Sequence, residues 1–415
     1  MAFIFKLFLV ILIFFNMTTL KFSLGLLSVS FFFNMLLYLI VLFVILHSIT
    51  LSKFSLSSAT IFLSVVFLCI SATLNFFFNF SFMGVVQFSN SLLPWLVLIM
   101  LLLNHETFLY EYKSYWSWLN TFLFVCIFIG VCEYVAAISY GYRPPIMKLD
   151  TGMGEYYVGY STLFQKIPDL NMPYYRFQGP FGEAGDLAMW SSVFLIYNLI
   201  RQKYFYAFVF VSAIFFSFSP SAYISLSVAF LIFIWSRTAL ILTIAVFFTC
   251  VTISVFMGDI VSIYSNVMEA KVTSLGSRFS TVSNFIREFS FLINSHPLGA
   301  PFFESAVEKS TSRIGFSITY GPIGAYMMGG LIAFFVYVVI VFYGLILSGY
   351  KILLFKGGMM ENELYIYYLM LFTYIIQRST LIDYAIFPFL FAPLFMGMMP
   401  TNIVYDKVYK IEKLG

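Results

Sequence analysis

Apolar residues occur along this chain in long blocks, and a helix needs about 20 mostly apolar residues to cross a bilayer. Blocks near 4–20, 24–47, 54–74, 83–103, 117–140, 184–200, 204–219, 221–236, 238–257, 321–347, 363–377 and 382–400 predict twelve spans. In the first block, Lys6 followed by LFLVILIFF has a signal-peptide look. It lacks a small-residue cleavage site, so it is read as the first membrane helix. Polar breaks between blocks are short except at 141–183 and 258–320, two long loops carrying Gly and Pro. No internal repeat or linker between soluble domains interrupts the pattern, which predicts a single integral membrane domain over 1–415.

Lys and Arg in the short connections orient the spans. With both termini cytoplasmic, the inner set is Lys6, Lys53, Lys113, Arg201, Lys203, Arg237, Lys351, Lys356, Lys407, Lys410 and Lys413, against Lys21 and Arg378 outside. Both long loops then fall on the outer face. Composition agrees: the chain is 61% hydrophobic, 21% aromatic and only 10% charged, with a mean hydropathy of +0.96. Soluble domains are about 25% charged, so a soluble enzyme and a disordered chain are both excluded. A net charge of +4 is too small to point to nucleic acid. Cys69, Cys126, Cys132 and Cys250 all sit in apolar stretches without metal-type spacing, and read as small buried hydrophobes.

The chemistry is expected in the outer loops. They hold Arg143, Lys148, Lys166, Arg176, Lys271, Arg278, Arg287, Lys309 and Arg313, a set richer in Arg than the inner connections. Arg offers a permanently charged planar fork that grips phosphate oxygens at two points. The segment Arg176-Phe-Gln-Gly179-Pro-Phe-Gly182-Glu183-Ala-Gly185-Asp186 runs straight into an apolar span. Its glycines allow tight turning and close approach to a ligand. Glu183 and Asp186 share one face of the first helical turn, where acids also complement the helix dipole. In the second loop, Phe279, Val282, Phe285, Ile286, Phe289, Leu292 and Ile293 form a stripe at helical spacing. Ser277 is its candidate N-cap, with Arg278 in the first turn. Arg287 lies nine residues on, about half a turn around the helix from Arg278. Then comes Asn294-Ser-His296-Pro-Leu-Gly299, a turn whose histidine is a candidate base or phosphate donor. Arg378, on the hairpin between the last two spans, is a further phosphate candidate beside Asp383. Glu133 is the one acid well inside a span, and such groups are functional suspects, although this one lies near enough the interface to be hydrated.

Four segments in order resemble the bacterial O-antigen polymerases, a family related to the O-antigen ligases. They are RFQGPFGEAGD (176–186), SFSPSAYISLSVAFLIF (217–233), GSRFSTVSNFI (276–286), and NSHPLGAP (294–301) followed by GPIGAYMMGGLIAFF (321–335). The resemblance implies an all-α, GT-C-like polytopic enzyme of the bacterial inner membrane with about twelve helices and two periplasmic loops. It would join undecaprenyl-pyrophosphate-linked sugar repeats without metal or cofactor, with membrane lipid around it and a chain-length regulator protein as a partner. Arg176 and Arg278 match loop arginines thought to hold the pyrophosphate; Arg287, Arg313 and Arg378 are added as candidates from their own positions, Arg287 equally fitting the polar face of its helix. Glu183 is the first candidate for the base that takes the acceptor proton, followed by His296 and Asp186. Two other functions fit the same layout: an O-antigen ligase passing polymer to the lipid A core, and a lipid-linked oligosaccharide flippase. Spans almost free of ionisable groups weigh against transport.

Overall fold

The computed structural model describes residues 37–47, 56–80, 84–140, 147–151, 154–165, 176–181, 184–217, 289–290, 293–299 and 321–354. Seven of the twelve expected spans fall wholly or partly on them, and all seven are helical. They are α1 (Leu37–His47), α2 (Leu56–Phe78), α3 (Gly84–Leu103), α4 (His105–Tyr140), α5 (Ala184–Ile200), α6 (Tyr204–Ser217) and α7 (Gly321–Leu354). Within α2, α4 and α7, the stretches Thr60–Phe78, Ser114–Ala137 and Ile323–Gly344 are long and apolar enough to cross a membrane. This is a mostly helical membrane protein. The spans expected at 4–20, 221–236, 238–257, 363–377 and 382–400 lie outside the described residues.

Two expectations change. Residues 105–116 were expected to belong to a connection, yet α4 starts at His105. Asn104 makes the switch: its amide donates to the Met100 carbonyl at 2.9 Å, and its own carbonyl accepts from Phe108 N–H at 3.1 Å. The segment that follows has no Gly or Pro to stop a helix. The all-α class also omits a sheet. The first long loop forms β1 (Met147–Thr151), β2 (Gly154–Val158), β3 (Leu163–Gln165) and β4 (Arg176–Phe177), an antiparallel meander in sequence order.

The chain divides into two compact units, with the division inside α4 between Trp118 and Leu119. In the first, α2 packs on both α3 and α7. Phe76 stacks on Phe88 with ring centroids 4.4 Å apart, and Trp95 meets Tyr337 edge-on at 6.2 Å. α7 is broken: Gly329 (φ −150°, ψ 28°) and Gly330 (φ 64°, ψ −152°) leave helical geometry. Before the break, Ile323 to Met328 are buried; after it, Ile332, Phe335, Val339, Phe342 and Ile346 are exposed at helical spacing. That face is the kind lipid covers.

The second unit holds the rest of α4, the sheet, α5 and α6. α5 is buried almost along its whole length. Asn120 on α4 and Asn198 on α5 exchange amide hydrogen bonds at 3.2 and 2.6 Å, both fully buried. Such reciprocal amides join helices where apolar surface gives no preference over lipid. At the α5 end, Gln202 takes a positive φ of 56° and Lys203 N–H returns to the Asn198 carbonyl at 2.9 Å, turning the chain directly into α6.

Candidate functional site at the long polar loops

In the second unit, the turn joining β2 to β3 lies along α4. Gly159 N–H closes the turn on the Thr162 carbonyl at 2.7 Å. The half-buried Glu133 carboxylate gathers three donors from it. Tyr160 N–H donates to Oε1 at 2.7 Å, Ser161 N–H to Oε2 at 3.3 Å, and the Thr162 hydroxyl to Oε2 at 2.8 Å. Ser161 Oγ also donates to the Cys126 carbonyl, two helical turns earlier, at 2.9 Å. Gly130 makes room, because a Cβ there would lie 2.3 Å from Thr162 Cγ2 and 3.2 Å from the Phe177 ring. The carboxyl oxygens of Glu133 are therefore occupied in holding a loop. Neither bare hydration nor a free base describes it.

The sheet leads from that turn to the glycine-rich segment. In register, Phe164 faces Phe177 and Gln165 faces Arg176. Phe177 is fully buried, 5.3 Å from the Tyr134 ring between centroids, and β4 also packs on α6. Past β4, Gly179 takes φ 56° and Phe181 N–H returns to the Gln178 carbonyl at 3.2 Å. A Cβ on Gly179 would sit 2.8 Å from Leu187 Cδ1, so the turn rests directly on the first turns of α5. Asp186 lies in the first turn of α5 and is 3% exposed. The turn that follows Arg176 and Phe177 is thus seated on the helix whose first turn carries Asp186. Glu183 lies outside the described residues.

In the first unit, the break in α7 frees backbone carbonyls inside the protein, and α2 receives them. Asn75 Nδ2 donates to the Met327 and Met328 carbonyls at 3.2 and 2.9 Å, and Ser71 Oγ donates to the Gly329 carbonyl. The His296–Gly299 turn docks on the same joint. Its Gly299 N–H closes on the His296 carbonyl at 3.0 Å, and Tyr326 OH donates to that carbonyl at 3.0 Å. Cβ atoms would meet backbone at Gly299 (2.6 Å from the Met327 carbonyl oxygen) and at Gly330 (2.1 Å from that of Pro297). Phe289, from the expected apolar stripe, packs 6.1 Å from Tyr326 and 5.9 Å from Phe334 between ring centroids. Two of the sequence segments singled out above, NSHPLG and GPIGAYMMGG, are therefore one packed structure.

Of the expected site residues, the structure sets the Arg176 backbone and Asp186 in the second unit, and His296 in the first. Arg278, Arg287, Arg313 and Arg378 lie outside the described residues. The chain matches no family model and no curated protein. Ser71 and Asn75 as partners of the α7 break, and Tyr326 as the partner of the His296 turn, were not anticipated. Buried Asn and Ser inside an apolar span, at 75 and 71, are the sequence signal that could have found them.

Proposed function

We propose that this protein is an O-antigen polymerase: a glycosyltransferase of the bacterial inner membrane joining undecaprenyl-pyrophosphate-linked repeats on its periplasmic side. The observation that carries the reading is the course of the first outer loop. It is tied to a membrane helix by Glu133, includes the strand bearing Arg176, and makes a glycine turn seated on buried α5, whose first turn carries Asp186. A reaction that expels a pyrophosphate builds negative charge on phosphate oxygens. Fixed guanidinium groups at a membrane surface stabilise that charge. Arg176 and Arg278 are assigned to the pyrophosphate, with Arg287, Arg313 and Arg378 supporting them. An acceptor hydroxyl needs orientation and a proton acceptor, and Glu183 or His296 is assigned that task. The docking of the turn through Tyr326 and Gly330 fixes the backbone that carries His296, which supports it as a candidate.

The test is deletion of the gene, with complementation by variants, read on a lipopolysaccharide gel. Deletion should leave core bearing a single repeat. Arg176→Ala and Arg278→Ala should each fail to restore long chains at normal protein levels. Bare core with polymer left on its carrier would identify a ligase instead. Bare core with unpolymerised repeats held inside would identify a flippase.

A further inference from the structure

The apolar stretch of α4 runs Ser114–Ala137. Glu133 lies four residues inside its C-terminal end, about 6 Å along the axis, and Cys126 eleven residues inside, about 17 Å. The turn Gly159–Thr162 contacts both residues. A loop of the polar segment therefore lies beside the apolar stretch of α4, well inside its C-terminal end. Irregular backbone is tolerated there only where protein satisfies its polar groups or water reaches it. Glu133 supplies that satisfaction for two N–H groups and one hydroxyl.

From this we infer that Glu133 is a positioning residue. Its carboxylate holds the β2–β3 turn down against Gly130, and the sheet transmits that level to β4 and the backbone of Arg176. The inference rests on the pyrophosphate role given to Arg176 above. Two anchors fix the sheet on α4, one polar at Glu133 and one aromatic, where Phe177 meets Gly130 and Tyr134. Only a carboxylate offers both oxygens as acceptors to three converging donors. A glutamine of the same size would turn an NH2 toward one of them.

The experiment uses the full-length protein in lipid nanodiscs with lipid-pyrophosphate-linked repeats as substrate. Two variants are compared, Glu133→Gln and the milder Thr162→Val, which removes one donor of the three. Hydrogen–deuterium exchange should speed up at residues 159–162 by about tenfold or more in E133Q, the worth of one hydrogen bond to a charged group. It should speed up less in T162V and stay unchanged in α5. The KM for the lipid-linked donor should rise by a similar factor, about tenfold, while kcat stays within about twofold. Unchanged exchange in both variants would remove the clasp. Faster exchange with unchanged KM would show that the clasp positions nothing. A fall in kcat with KM unchanged would put Glu133 in the chemistry and overturn the positioning role. Full activity of Arg176→Ala would instead remove the pyrophosphate reading while leaving the exchange result standing.

Discussion

Replacing Gly330 with alanine gives opposite signs for a broken and a continuous α7. In an unbroken helix, glycine to alanine gains up to about 1 kcal/mol, because alanine has the higher helix propensity. In the structure, Gly330 has φ 64° and ψ −152°, a region essentially closed to residues with a Cβ. Holding alanine there costs about 1–3 kcal/mol. The new methyl would also fall 2.1 Å from the Pro297 carbonyl oxygen and 2.8 Å from Leu298 atoms, all of them backbone. Overfilling a packed site of that kind costs about 1–3 kcal/mol more. Together the expected loss is about 2–6 kcal/mol, and the His296 turn is the part that must give way. The assay is the midpoint of heat-induced loss of monodisperse protein in detergent, measured on the purified full chain. It should fall clearly in G330A, and residues 293–299 should exchange amide hydrogens faster. A midpoint equal to or above that of the parent would refute the break and the docking of the His296 turn upon it.

Three further outcomes follow from the packing. Asn75→Ala, which strands the Met327 and Met328 carbonyls, should lower the same midpoint at a cost of about 1–3 kcal/mol; G330A/N75A should lose less than the sum, since both act on one joint. Asn120→Leu should destabilise by about 1–2 kcal/mol by leaving the buried Asn198 amide short of a partner, and N120L/N198L should be nearer the parent than either single variant. Additive losses would remove that pair as a coupled unit. Gly130→Ala should loosen the β2–β3 turn, and Thr162→Ser in the same chain should restore it, because that change deletes only the methyl facing Gly130 while keeping the hydroxyl bound to Glu133. Failure of the rescue, read by amide exchange at 159–162, would show that the close contact at Gly130 is not what limits docking.

Membrane helices were legible because a bilayer imposes length and composition locally. α5 occupies 184–200 as expected, since acids and glycines precede it and Arg201-Gln202 ends it. The break in α7 was not legible. Met327-Met-Gly-Gly330-Leu reads as uninterrupted apolar chain, and glycine is common in spans. What decides the break is the pair Ser71 and Asn75, more than 250 residues away in sequence. The role of Glu133 was hidden for the same reason: its three donors lie 27 to 29 residues on, beyond the end of its own helix. β3 and β4 are three and two residues long, too short for alternation to stand out in a polar loop. At the candidate site, the sequence marked Asp186 and His296 by their neighbours, but how each is held depends on contacts that only folding makes.

The two halves of α7 differ in what surrounds them, and this bears on which residues a crossing needs. Residues 331–354 make a helix of about 36 Å, enough alone for a hydrocarbon layer of about 30 Å. The segment before the break is wrapped by protein and has no need to count toward that thickness. Starting the crossing at Leu331 brings its far edge, about 20 residues on, to Lys351, so that a lysine stands where acyl chains give way to headgroups. Counting from Gly321 instead would end the crossing near Val341 and leave Gly344-Leu-Ile-Leu347 stranded in water. A hydropathy profile thus counts two things together in this helix: an inner lining over 323–330, and an exposed apolar face that begins at Ile332.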